Sequence, residues 1–109
     1  MIEALWSIEF VAHNGNFGAG VAVLETGRVF GGDSSYFYVG SYTVSTGRMT
    51  GEVVVTHYSG PPNNIFGPLS QVTLQLSWTI AHDTFVVRGI SPEVPGAIAI
   101  RFTRRAELP

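Results

Sequence analysis

Cysteine and lysine are both absent from this chain of 109 residues, and only 13% of its residues are charged. Without cysteine there is neither a disulfide framework nor a thiolate metal site, so packing alone must supply the stability; a reducing, cytoplasmic compartment fits. Without lysine the six cations are all arginines, set against eight acids for a formal net charge of −2. No basic field exists to draw a phosphate backbone, and nucleic acid is not an expected partner. Long hydrophobic runs are lacking too: nothing approaches the roughly 20 residues of a membrane helix. The opening Met1-Ile2-Glu3-Ala4-Leu5-Trp6-Ser7 has no basic stretch ahead of an apolar one. The reading is a soluble, unexported protein with no membrane partner.

What the chain does have is 45% apolar residues in one domain-sized length, read as a single domain over 1–109. No segment carries a 3.6-residue apolar period, so little or no helix is expected. Period-two alternation runs throughout instead. In Val72-Thr73-Leu74-Gln75-Leu76-Ser77-Trp78-Thr79-Ile80 the apolar residues share one face and the polar ones the other. Ile98, Ile100 and Phe102 repeat the pattern near the C-terminus, as do Trp6, Ile8 and Phe10 near the N-terminus. Strands are expected near 4–12, 17–25, 28–32, 35–44, 48–59, 71–80, 84–91 and 97–104. Most connectors, such as Glu25-Thr26-Gly27-Arg28, Ser45-Thr46-Gly47-Arg48 and Ser91 to Gly96, are too short for parallel crossovers and imply antiparallel hairpins. The stretch from Gly60 to Ser70, with three prolines and two glycines, is read as a loop.

Eight antiparallel strands with one apolar face either stay an open sheet or close. Closure removes two edges that so weakly charged a chain could not protect, which favours an all-β, eight-stranded up-and-down barrel over a two-sheet sandwich. Glycines within the strands, among them Gly18, Gly31, Gly40 and Gly51, permit the sharp coiling that closure needs.

Catalytic chemistry finds no constellation. Gly18-Ala19-Gly20 runs on into the strand Val21-Ala22-Val23, with no helix to receive a phosphate. His13, His57 and His82 have no metal-ligand spacing, and Asp33 reads as an Asx turn after Gly31-Gly32. Glu9 and Glu52 stand opposite the apolar rows, not as a paired acid and base. The expectation is therefore no catalytic residues, no metal and no cofactor. Should the barrel be hollow, Trp6, Phe10, His57, Trp78 and Phe85 are candidates to line its cavity, where a small apolar ligand could be held; the large rings Trp6, Phe10, Trp78 and Phe85 could equally fill it.

Two neighbouring strands depart from the in/out rule. Tyr36 to Val44 and Val53 to Tyr58 are apolar or aromatic on both faces over part of their length. A strand covered by the core on one side and a partner on the other reads this way, so Phe37, Val39, Val54 and Tyr58 are the expected surface for a homodimer or a protein partner.

Leu5-Trp6-Ser7-Ile8-Glu9-Phe10-Val11, then Gly18-x-Gly20-Val21, Gly31-Gly32-Asp33 and Tyr38-x-Gly40 follow one another as in a known family. In order and spacing they resemble the N-terminal half of the GrlR-type negative regulators of type III secretion. The resemblance implies a lipocalin-like barrel that dimerises, has an apolar interior and captures a transcriptional activator. The family's acidic Glu-Asp-Glu-Asp run is replaced here by Val44-Ser45-Thr46-Gly47-Arg48, which has no acid, so activator capture does not carry over residue by residue. The expected function is that of a non-catalytic bacterial regulator or adaptor acting by protein binding, with a carrier or sensor of a small apolar ligand as the alternative.

Overall fold

A computed structural model of the chain describes residues 2–12, 17–60, 69–79 and 81–109. The described part is all β, without a helix: β1 (Ala4–Ala12), β2 (Phe17–Glu25), β3 (Arg28–Gly32), β4 (Tyr36–Ser45), β5 (Arg48–His57), β6 (Gln71–Thr79), β7 (Thr84–Ser91) and β8 (Val94–Ala106). Each strand pairs antiparallel with the next and β8 returns to β1, closing the expected up-and-down barrel. Among the described residues no helix is long and apolar enough to cross a membrane.

The alternation read from the sequence is the inside/outside pattern of the barrel. Burial along β6 alternates, with Val72, Leu74, Leu76 and Trp78 inward. Closure at this small radius brings neighbouring backbones close, and Gly40 shows the cost of a side chain there. A Cβ on Gly40 would lie 2.1 Å from the Glu52 carbonyl oxygen, well inside van der Waals contact.

Two turns tighten the same end of the barrel. Thr26-Gly27 and Thr46-Gly47 join β2 to β3 and β4 to β5, with φ of 50° and 79° in the first and 54° and 75° in the second. Positive φ at both central residues defines the type I′ hairpin, whose twist matches that of the strands. Glycine adopts it freely, while β-branched threonine does so under strain.

The last hairpin differs from expectation. The connector is not Ser91 to Gly96: β8 begins at Val94, which pairs with Ser91, and only Pro92 and Glu93 turn the chain. Pro95 is tolerated because β8 joins β1 only from Ile98 onward and the irregularity between Gly89 and Ser91 leaves Pro95 without a partner on β7, so its missing N–H interrupts neither ladder. The strand near 48–59 likewise ends at His57, and β4 starts at Tyr36, one residue later than expected. The expectations for Ile80, His13 and most of the loop after Gly60 lie outside the described residues.

Inside, the end nearest the two tight turns is filled by aromatic rings. Trp78, Phe85 and Phe102 stack with centroids 5.1 to 6.4 Å apart, and Trp6 meets the edges of Phe85 and Phe102 at 4.9 and 6.1 Å. Above this layer lies a cavity of about 50 Å³ whose walls, including Ile8, Phe10, Tyr38, Leu74 and Ile100, are all apolar or aromatic.

Candidate functional site

Of the five residues expected to line an interior cavity, only Phe10 does. Trp6, Trp78 and Phe85 are interior, yet they make up the aromatic layer that closes one end. Their rings pack on one another and occupy the lumen where they sit. His57 stands at the opposite rim, where its ring leans on Tyr36 at 5.4 Å and its Nε2–H donates to the Gly60 carbonyl at 2.7 Å. The remaining cavity is several-fold smaller than the roughly 300–1,000 Å³ of typical small-molecule pockets, and smaller than the ~150 Å³ void that takes up benzene.

Asp33 organises that same rim. Its Oδ1 accepts the backbone N–H of Ser35 and of Tyr36, both at 2.8 Å, which is the Asx geometry expected of it. Its Oδ2 accepts the Tyr38 hydroxyl, and its carbonyl accepts the Tyr58 hydroxyl at 2.7 Å. Burial, then the hydrogen bond to Asp33 and the charge of that carboxylate, push the Tyr38 hydroxyl far above its ordinary pKa. These contacts hold the β3–β4 corner and tie it to Tyr58, just beyond β5. At the β7–β8 turn the Ser91 hydroxyl and the Thr73 N–H bond Glu93, holding its carboxyl below the ordinary range. Burial raises the Tyr42 hydroxyl. Among the described residues no three His, Asp or Glu side chains gather where they could hold a metal ion. The ion pair of His82 with Asp83 is solvent-exposed, where such pairs contribute little.

The outer wall is different. Phe37 and Val39 point outward from β4 at 42% and 49% exposure, Tyr58 follows β5 at 56%, and Val54 is half-buried on the outer side of β5. The Phe37 and Tyr58 rings lie 6.1 Å apart. Register places more beside them than the two strands alone suggest. Val23, Phe30, Val39 and Val54 are successive cross-strand partners on β2, β3, β4 and β5, forming one outward apolar row across four strands. Val21, exposed, extends the patch on β2. One pleat away runs a second row of partners, Glu25, Arg28, Ser41, Glu52 and Gln75. Phe30 and Val23 were not legible as members of this surface, since β3 has only five residues, two of them glycine, and β2 is apolar or glycine on both faces, so neither strand marks its outer face by itself. Their signal is the pairing of Phe30 with Val39.

No family model matches the chain, and no curated protein matches it.

Proposed function

We propose that the chain is a non-catalytic regulator or adaptor that works by binding protein through the outer face of β2 to β5. The observation that carries this reading is the outward apolar row Val23, Phe30, Val39 and Val54, set on a barrel whose core needs none of them. Exposed apolar residues aligned by register into one row are the mark of an interaction site, where single residues such as Val11, Val86 and Ile90 elsewhere on the barrel are ordinary. A role like that of the GrlR-type regulators, cytoplasmic and directed at a transcription regulator, is the reading that the sequence resemblance adds. A bilayer partner fits poorly. Bilayer-spanning barrels carry a continuous apolar band outside and a polar lumen, whereas here Glu9, Glu52, Arg88 and Arg101 stand outside and the lumen is apolar. The carrier reading has only the 50 Å³ cavity in its favour, room for a molecule smaller than benzene.

The test immobilises the wild-type chain and its Val39→Arg variant in extracts of the source cells and identifies what each retains. A DNA-binding regulator held by the first and released by the second is the expected result. Equal retention by both would remove this face from the function, and retention of nothing would remove the adaptor reading.

A further inference from the structure

Outward along β8 stand Ala97, Ala99 and Arg101, and alanine is a side chain that strands use sparingly. The two alanines leave the wall recessed between β1 and β7. They floor a groove edged by Val11 on one side and by Val86 and Arg88 on the other, and Arg101 and Glu9 border its continuation. Val11 and Val86 are single exposed residues of an ordinary kind; the arginines set this groove apart. Register pairs Arg88 with Ala99 and Val86 with Arg101, so the two arginines occupy diagonal positions, roughly 7–8 Å apart, that flank Ala99. Neither has a hydrogen-bond or ion-pair partner among the described residues, even though Glu9 is the cross-strand neighbour of Arg101. Arg105, farther along β8, is engaged by the Ser7 hydroxyl. Two arginines less one glutamate leave the groove positive in a chain whose net charge is −2.

We infer that this groove holds an extended acidic segment of a partner protein, with two carboxylates at alternate positions on Arg88 and Arg101 and an aliphatic side chain on the alanine floor. Shape restricts the form of the occupant. β1 and β7 are two inter-strand spacings apart, about 9.5 Å, before Val11 and Val86 narrow the gap, and a helix of about 10–12 Å diameter is too wide for it. An extended chain fits, and its alternate residues lie about 6.8 Å apart on one face, close to the spacing of the arginines. Charge restricts its chemistry. Docking takes water from both guanidinium groups, and an occupant that brings carboxylates restores what they lose, since each carboxylate can meet the planar fork with two hydrogen bonds. Two arginines with a glutamate beside them are no footprint for a nucleic-acid backbone. β8 lies across the ring from β4, so this groove and the apolar row on β2 to β5 are separate surfaces, and one barrel can hold a partner on each.

The test is fluorescence anisotropy at low salt, with the purified chain and a labelled peptide containing Glu-Ser-Glu-Ser-Leu, set against its counterpart with Gln-Ser-Gln-Ser-Leu. The glutamate peptide should bind at least about tenfold more tightly than the glutamine one. Arg88→Gln and Arg101→Gln should each weaken it by roughly tenfold, and Ala99→Leu, which fills the floor, should weaken it as well. Arg48→Gln, the same loss of charge at the start of β5, should leave it unchanged. Equal binding of the two peptides, or binding of neither, overturns the inference. So does an equal loss in Arg48→Gln, which would mean attraction to net charge alone. Phosphatidylglycerol vesicles that retain the chain through Arg88 and Arg101 while the peptide stays free would assign the groove to lipid headgroups and overturn it too. All four substituted positions are exposed, and circular dichroism checks that each variant keeps the barrel. The extract experiment with Val39→Arg reads the opposite face, so a failure here leaves the proposed function standing, and the reverse holds.

Discussion

Trp6 and Trp78 sit in the same aromatic layer, both almost wholly buried, yet they should respond very unequally to the same substitution. Trp6 Nε1–H donates to the Ile2 carbonyl at 3.0 Å, and the Arg104 guanidinium lies 4.9 Å over its ring. Trp78 Nε1–H is buried with no acceptor. Replacing either tryptophan by phenylalanine removes apolar bulk worth roughly two methylenes, about 1.6 kcal/mol at ~0.8 kcal/mol each. At Trp6 the change also discards a hydrogen bond, about 1 kcal/mol, and weakens a cation–π contact by up to about 0.5 kcal/mol, for a total near 3 kcal/mol. At Trp78 it removes a donor whose unmet desolvation costs about 1–3 kcal/mol, so the two effects nearly cancel. Trp6→Phe should thus destabilise by about 3 kcal/mol more than Trp78→Phe. Urea unfolding followed by far-ultraviolet circular dichroism measures the difference. Equal losses would refute the reasoning, because they would mean that the Trp78 indole has a partner, such as a buried water, and that this end of the barrel is not dry.

Two further expectations concern strain and pH. Thr46, exposed and held at φ 54° in its type I′ turn, should gain about 1 kcal/mol on replacement by asparagine, which tolerates the left-handed region. A denaturation midpoint that does not rise would show that the turn relaxes at no cost. The Tyr38 hydroxyl is raised above its ordinary value of 10.0, first by burial and then by Asp33, so the fold favours its protonated form more than the unfolded chain does. That contribution is complete below about pH 10 and is lost as pH rises beyond it. Urea midpoints should therefore fall steeply in that alkaline range, and Tyr38→Phe should flatten the fall; an unchanged slope in the variant would place the alkaline transition elsewhere.

The sequence by itself determined the strands, their antiparallel order and which side of each faces inward. Those properties are local: side chains alternate with a period of two, and Val72 to Trp78 or Ile98 to Phe102 declare their faces within one strand. It also carried Asp33 as a turn residue, because an aspartate following two glycines needs only its own neighbours to make an Asx turn. Tertiary structure alone decided what depends on register around the ring. Whether Trp6, Trp78, Phe85 and Phe102 line a hollow or fill it depends on four strands placing their rings at one height, and no single strand contains that information. The same is true of the outer face. Phe37, Val39, Val54 and Tyr58 stand out within their own strands, but only the alignment of β2 to β5 sets Val23 and Phe30 beside them. A shift of one residue between any two of these strands would turn the row inward, so long-range pairing fixes the surface that local alternation could only suggest.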